Sequence, residues 1–179
     1  MKIITGTTGV AHITPQQDAF WHRGWMGIPT CVFPEGQMFA PQIMSNSTVR
    51  VKDGICSLQG RFMSIDPSTY DEVHIDNGSQ GYKRIDLICG KLTIGQDGKS
   101  TSTLEVIKGT ATTGTPQLPT VPTKNLDGGD NYAYIPLVKV ELNGINITNA
   151  TMIADTYRPV IIDDVMEAKW TAILGDISY

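Results

Sequence analysis

Short strand-like runs, some with an alternating pattern of apolar and polar residues, are separated by turn signals along much of the first 160 residues, which predicts a chain built mainly of β-strands. Val49 and Val51 alternate with Arg50 and Lys52, the period of a half-buried strand. The stretch KRIDLICGKL, residues 83–92, begins with charges and becomes apolar on both faces after Asp86, as in a strand that enters a core. We therefore expect a mainly β fold, an antiparallel barrel or sandwich.

Several short signals predict where the strands turn or bend. Asp53-Gly54 and Asn143-Gly144 are typical of hairpin turns, and Asp66-Pro67-Ser68 predicts a further turn. The Gly-rich stretch 95–101 separates two strand-like runs and predicts another hairpin. Pro136 lies near the start of a strand-like run, and because proline has no N–H to donate it predicts an edge or a bulge there.

A short helix is predicted near the N-terminus. Thr14 can cap it, Pro15 suits its first position, and Gly24 or Gly27 can end it. We expect its aromatic residues Phe20 and Trp21 to attach it to a sheet.

A second helix is predicted at the C-terminus, where Asp163 can cap it and Gly175 can end it. Its apolar side chains form one stripe at helical spacing: Val165, Met166, Trp170, Ile173 and Leu174. Such a stripe is covered either by the sheet of this chain or by a partner, and the sequence leaves both open.

The segment 110–130, TATTGTPQLPTVPTKNLDGGD, interrupts the alternating pattern. Its Thr-Pro steps and paired glycines predict a long loop, and loops of this length are often functional. The chain is thus expected to comprise a β-rich core domain over residues 1–160, which includes this loop, and a C-terminal helix over residues 161–179. The loop is too poor in apolar residues to form a core of its own, so we expect it to contact a neighbouring subunit.

Composition narrows the class of partner. The net charge is −4 and no block of basic residues occurs, so nucleic acid is not an expected partner. No run approaches the roughly 20 apolar residues of a membrane helix, and the first residues have no apolar core of signal-peptide length, so we expect synthesis in the cytoplasm and no membrane partner.

Residue types that bind metals occur, but not at metal-site spacing. Glu72, His74 and Asp76 share one face of a predicted strand, which favours a solvated strand face over a ligand set. Asp127 and Asp130 lack the ligand density of a calcium loop. The three cysteines, Cys31, Cys56 and Cys89, are far apart, which is typical of small buried residues. We expect no metal, no cofactor and no catalytic constellation.

Five segments, taken in order, resemble a family of phage tail and baseplate structural proteins from viruses and prophages of Gram-positive bacteria. They are IITGTTGVAHITPQQDAFWHRGWMG, GQMFAPQIMSNSTVRVKDGICSLQGRFMSI, GSQGYKRIDLIC, LEVIKGT and IPLVKVELNG, which span roughly residues 3–147. The resemblance, to the anchoring domain of tail-tip proteins, implies a β-rich virion component that docks onto other tail proteins and is not an enzyme. It assigns no binding residues.

The resemblance also implies a setting. The protein is expected in the virion, as a homo-oligomer, trimer or hexamer, bound to other tail or baseplate proteins; rings of this kind have closed symmetry. Because only a short helix follows the β-rich region here, we expect a baseplate or connector part and not a protein with a separate host-binding domain.

Two other classes of function stay open on the sequence alone. A carbohydrate-binding module for cell-wall polysaccharide would show exposed Trp or Tyr on a sheet face, but Trp21 and Trp25 lie four apart in a predicted helix, which favours packing. A cell-wall hydrolase would need two carboxylates facing each other across a cleft.

Arg84 and Asp86 pose a separate question, since they stand two apart in a strand and so share a face. We interpret them as a structural pin, a pair at the rim of the core that fixes strand register, in preference to a ligand clamp or a catalytic pair. Asp86 is expected to accept hydrogen bonds from Arg84 or from backbone N–H groups of a nearby turn, such as the one after Asp66.

Overall fold

The computed structural model describes residues 13–156, and these residues form a sandwich of two antiparallel sheets with one α-helix near the N-terminus. The elements, in chain order, are helix α1 (Pro15–Met26) and strands β1 (Cys31–Val32), β2 (Pro41–Ser45), β3 (Thr48–Leu58), β4 (Arg61–His74), β5 (Lys83–Ile94), β6 (Ser100–Ile107), β7 (Tyr132–Asn143) and β8 (Asn146–Met152), with a 3-10 turn at Leu126–Gly128. The mainly β fold and the N-terminal helix are as predicted, and the architecture is the sandwich. The predicted C-terminal helix and its apolar stripe lie outside the described residues.

Each sheet has four strands. In the first sheet, β1 and β2 pair with successive parts of one edge of β3, and β4 pairs with its other edge. The second sheet has the order β6-β5-β7-β8, and neighbouring strands are antiparallel. Strands β4 and β6 are therefore edge strands, as are β2 and β8.

The core lies between the sheets and is made of the inward-facing residues of their strands. Its fully buried large side chains include Val32, Val49, Val51, Leu58, Ile75, Ile88, Leu137, Val138 and Val140. Alternation thus predicts the interior correctly in β3, where Val49 and Val51 point inward and their charged neighbours are only partly buried.

Two of the predicted turns are found where the signals stand. Gly95 and Lys99 close the β5–β6 hairpin through a backbone hydrogen bond of 2.8 Å. Asn143 pairs with Asn146, so Gly144 and Ile145 form the β7–β8 turn, and Gly144 has a φ of 61°.

Irregularities inside the strands account for two further signals. Pro136 lies at a bulge in β7, a central strand, where the pairing with β5 shifts register, so the bulge is the correct alternative and the edge is not. Asp66-Pro67-Ser68 lies in a stretch of β4 that leaves the ladder between Ile65 and Tyr70, and Ser68 has a φ of 63°.

The prediction of a hairpin at Asp53-Gly54 is wrong. Gly54 lies within β3 at a register shift, and a side chain there would approach the backbone N of Phe39 to 2.8 Å. The missing side chain at Gly54 thus lets the loop that contains Phe39 approach β3 closely, and the glycine does not form a turn. The chain reverses at Gln59-Gly60, where Leu58 pairs with Arg61 and both turn residues have positive φ, 53° and 81°, as a two-residue type I′ turn requires.

Candidate docking site

Helix α1 is delimited by its own sequence. The Thr14 hydroxyl accepts a hydrogen bond from the backbone N of Gln17, and the Gln17 side chain accepts one from the backbone N of Thr14, which together form a capping box. Pro15 occupies the first turn, and Gly27, at a φ of 73°, ends the helix by donating to the carbonyl of Arg23. The predicted helix boundaries are therefore confirmed, with Gly27 and not Gly24 at the end.

The inner face of α1 packs on the β3–β4 turn. Ala19 and Met26 are buried. A side chain at Gly60 would collide with the carbonyl oxygen of Ala19, so the helix backbone lies directly against this glycine. His22 Nδ1 lies 3.0 Å from the Gly60 carbonyl oxygen, and the His22 ring packs against Phe62 at a centroid distance of 4.6 Å.

An ionic cluster of Arg23, Arg61 and Asp127 strengthens this attachment. Asp127 Oδ2 lies 2.5 Å from Arg23 Nη1, and Asp127 Oδ1 lies 3.1 Å from Arg61 Nη2. Both arginines also donate to the carbonyl oxygen of Gln59, at 3.0 and 3.3 Å. The cluster thus joins α1, the β3–β4 turn and the 3-10 turn through charge-assisted hydrogen bonds.

Gln59 adds three more hydrogen bonds between these segments. Its side chain donates to the carbonyl of Lys124 at 2.6 Å and accepts from the backbone N of Leu126 at 2.9 Å. Its own backbone N donates to the hydroxyl of Thr30 at 3.1 Å. The Gln59 side chain therefore links the β3–β4 turn of the first sheet to the end of the 110–130 loop, which leads into β7 of the second sheet. Helix α1 packs on this junction.

The outer face of α1 carries three large aromatic side chains in solvent. Phe20, Trp21 and Trp25 are 64%, 72% and 79% exposed. At about 100° per residue they lie within roughly 140° of the helix surface, on the side opposite Ala19 and Met26. The expectation that Phe20 and Trp21 attach the helix to a sheet is therefore wrong: Ala19, His22, Arg23 and Met26 do so. We call Phe20, Trp21 and Trp25 the aromatic face of α1.

Arg84 and Asp86 lie near the opposite end of the sandwich and are buried, with 5% and 0% exposure. They form a bidentate ion pair, with Arg84 Nε 2.8 Å from Asp86 Oδ1 and Arg84 Nη2 2.9 Å from Asp86 Oδ2. Arg84 also donates to the carbonyl oxygen of Asp76, at 2.6 Å.

The second partner of Asp86 is the backbone N–H of Gly109, at 2.9 Å. That residue follows β6, and the turn after Asp66, which the sequence suggested, is not among the partners found for Asp86 in residues 13–156. The pair thus ties β5 to the segments that follow β4 and β6. Its role in fixing strand register stays a prediction.

The 110–130 loop is attached to this chain at both ends. Thr112 exchanges two backbone hydrogen bonds with Lys83, of 2.7 and 2.9 Å. At the other end Leu126 is buried in the core and Asp127 belongs to the ionic cluster. Between these points Leu118 is exposed. Contact of the loop with a neighbouring subunit stays a prediction.

Four of the five side chains with metal-binding chemistry, Glu72, Asp76, Asp127 and Asp130, are paired with basic side chains. Glu72 pairs with Arg50 and Asp76 with Lys108, each at 2.8 Å. The hydrogen bond from Lys108 lowers the pKa of Asp76 below its usual value. Asp130 accepts from the backbone N of Asn125, which lowers its pKa as well. Across residues 13–156, no group of three or more His, Cys, Asp or Glu side chains is arranged to hold a metal ion.

The three cysteines are buried and free. Burial raises the pKa of Cys56 and of Cys89 to about 12, and it also raises that of Cys31. These thiols are therefore poor nucleophiles at neutral pH.

The comparisons with known proteins do not assign a family. Neither the protein-family models nor the curated proteins give a match to this chain. In the part of the chain that the structure describes, no helix has the length and apolar character needed to cross a membrane.

Proposed function

We propose that this protein is a structural subunit of a phage or prophage tail or baseplate assembly and acts by docking onto other proteins, not by catalysis. The observation that carries the proposal is the aromatic face of α1. Trp and Phe are enriched at the centres of protein interfaces, and a helix that displays three of them is typical of helix-in-groove recognition. The ordered resemblance of residues 3–147 to tail structural proteins supports the choice of assembly.

The anchoring of α1 supports the same proposal. Binding is weakened when a surface must be ordered at the moment of association. Here Gly60, Gln59 and Asp127 fix the position of the helix before any partner arrives. The aromatic face is thus presented in a defined orientation, as a docking surface in a closed ring of subunits requires.

Purified tail particles provide the test. The protein should be found in them by mass spectrometry, and a chain with Trp21→Ser and Trp25→Ser should fold normally but fail to enter them. A matched control is Tyr82→Ser, which removes an exposed aromatic side chain from the opposite end of the sandwich. Absence of the parent chain from the particles would refute the proposal.

Exposure of Trp21 and Trp25 also favours a second candidate, a carbohydrate-binding module for cell-wall polysaccharide. Exposed indole rings stack on sugar rings, and these two rings lie on one face of the helix. A glycan array or a cell-wall pull-down separates the two candidates. Binding that is lost with Trp21→Ser and Trp25→Ser would favour the carbohydrate module, whereas the docking function predicts no binding above background.

A further inference from the structure

Two Asn-Gly steps occur in the sequence, Asn77-Gly78 and Asn143-Gly144. In such a step the backbone nitrogen of the glycine can attack the side-chain amide of the asparagine, because glycine has no side chain to obstruct the approach. The attack requires that the glycine N–H lose its proton and that the asparagine backbone bend into a five-membered ring. The surroundings of each step therefore decide whether it reacts in the folded protein.

The Asn143-Gly144 step is protected on both counts. The backbone N of Gly144 donates to the carbonyl oxygen of Tyr82 at 2.9 Å, and an N–H that donates a hydrogen bond loses its proton less readily. Asn143 pairs with Lys83 on one side and with Asn146 on the other, so its backbone is held in the sheet and does not bend into the ring.

The Asn77-Gly78 step has neither form of protection. It lies between β4 and β5, outside any strand, and Asn77 is exposed. Among the residues that the structure describes, no partner accepts a hydrogen bond from the backbone N of Gly78, and none holds the side-chain amide of Asn77. By contrast, two turn glycines that follow an aspartate, Gly98 and Gly128, donate to backbone carbonyls at 2.9 and 3.0 Å. Both the nucleophile and its target are thus available at Asn77-Gly78.

Arg84 favours the reaction at this step. Its Nε and Nη2 atoms hold Asp86, whereas its Nη1 atom donates to the carbonyl oxygen of Asn77 at 3.4 Å. That carbonyl belongs to the same peptide unit as the N–H of Gly78. When this N–H loses its proton, amide resonance places much of the negative charge on the carbonyl oxygen. A donor of a cationic group that already faces this oxygen stabilises the charge as it develops.

We propose that Asn77-Gly78 is a site of self-modification, at which Asn77 of the folded protein is converted to aspartate and isoaspartate. The Gly78 nitrogen, after losing its proton to solvent, forms a bond to Cγ of Asn77, and the bond from Cγ to the side-chain nitrogen breaks. Ammonia leaves with a proton taken back from solvent, and a cyclic imide remains. Water then opens the imide at one of its two carbonyls. The net reaction consumes one water and releases one ammonia, with no change of oxidation state.

The modification changes the end of the sandwich that is remote from α1, so the inference does not depend on the proposed docking function. Both products add a negative charge beside the pair of Arg84 and Asp86. Isoaspartate also adds one carbon to the main chain next to Gly78, where a Cβ would collide with the carbonyl oxygen of Gly144. We therefore expect the isoaspartate form to have a lower melting temperature than the parent chain.

Ageing of the full-length protein tests the inference, with Asn143 as the control in the same chain. The protein is incubated at mildly alkaline pH, folded in buffer and unfolded in urea, and peptide mapping by mass spectrometry follows deamidation at each step. In the folded protein Asn77 should react at least about five-fold faster than Asn143, the factor that corresponds to one backbone hydrogen bond. In urea the two rates should become similar, because both residues precede a glycine. Equal rates in the folded protein would overturn the inference.

Asn77→Gln supplies the matched variant. It keeps an exposed amide but lengthens the side chain by one methylene, so ring closure is slower and the folded fraction at the start is unchanged. The aged parent chain should separate by anion exchange into fresh and modified forms, and the isoaspartate form should melt below the fresh one. Aged Asn77→Gln should give neither the acidic form nor the lower melting temperature. An acidic form of equal yield from Asn77→Gln would place the modification elsewhere and refute the assignment to Asn77.

Discussion

Two arginine–carboxylate centres each join separate segments of this fold, and they differ in how exposed they are to water. The pair of Arg84 and Asp86 is buried within the sandwich and joins β5 to the segments that follow β4 and β6. The cluster of Arg23, Arg61 and Asp127 is half-buried and fastens a helix whose outer face is open. Similar chemistry thus completes the interior in one place and positions a surface in the other, and burial sets how much each contributes to stability.

The largest effect is expected from Asp86→Ala. Removing the carboxylate leaves the guanidinium of Arg84 buried without its charge partner and leaves the N–H of Gly109 without its acceptor. The free energy of unfolding should fall by about 3–5 kcal/mol, measured by urea denaturation.

Replacing both members of the buried pair sharpens that result. Arg84→Met with Asp86→Leu removes the charges together, so it should destabilise less than Asp86→Ala alone, because no unpaired buried ion remains. A loss below about 1 kcal/mol for Asp86→Ala would mean that water reaches the site and that the pair behaves as a surface ion pair.

Gly60→Ala should disrupt the packing of α1 on the β3–β4 turn. Gly60 has a φ of 81°, and an added Cβ would collide with the carbonyl of Ala19 and lie 2.9 Å from Cγ of Arg23. We expect a loss of about 2–3 kcal/mol, together with faster proteolysis within α1.

Gly98→Ala is the matched control for that substitution. Gly98 has a similar φ of 78°, but nothing lies within 4 Å of an added Cβ. It should lose only the backbone term, about 1 kcal/mol, and leave proteolysis of α1 unchanged. Equal losses for the two variants would show that the close approach of α1 adds nothing to stability.

Asp127→Ala tests the half-buried cluster and should have a smaller effect. Its loss removes two ion pairs, but their side chains keep contact with water, so we expect a decrease of about 1 kcal/mol that shrinks at high salt. Lys108→Ala, which removes an exposed ion pair with Asp76, should leave stability nearly unchanged. A loss of stability for Asp127→Ala that does not depend on salt would mean that the cluster is shielded from water as the Arg84–Asp86 pair is.

Local signals in the sequence predict the elements of this fold well, because their causes are local. Thr14, Pro15 and Gly27 delimit α1 through contacts within a few residues. The alternation of Val49 and Val51 with charged residues identifies the inner face of β3. The spacing of Arg84 and Asp86 brings them together because residues two apart in a strand share a face.

Features that depend on distant residues could not be predicted in the same way. The orientation of α1 is set by Gly60, about 40 residues further along the chain, so the sequence of the helix alone did not reveal which face is exposed. Asp53-Gly54 has the composition of a turn, but the approach of Phe39 keeps it within a strand. The turn at Gln59-Gly60 was missed because glutamine is not a usual turn residue, although the glycine at the second position was a usable signal.

A further carboxylate, Glu105, extends the comparison to a pair that is more exposed than either centre, and its effect should be smaller than that of Asp127. The hydrogen bond from Lys91, at 2.8 Å, lowers the pKa of Glu105 below its usual value of 4.5, and the hydroxyl of Tyr134 donates a second bond at 2.9 Å. A carboxyl with a lowered pKa in the folded state contributes stability above its unfolded pKa, and this contribution is lost as the pH falls through the folded value.

Glu105→Gln should therefore reduce stability slightly at pH 7 and leave it unchanged at a pH below the lowered pKa, where the parent carboxyl is already protonated. Urea midpoints measured across the acid range check this, and the two curves should converge as the pH falls. Because the Glu105 side chain is 42% exposed, water screens the pair and the separation at pH 7 should be only a few tenths of a kcal/mol. Curves that stay parallel at all pH values would mean that the shape of the side chain, and not its charge, supports the contact with Tyr134. Curves that diverge as the pH falls would reverse the sign and contradict the lowered pKa.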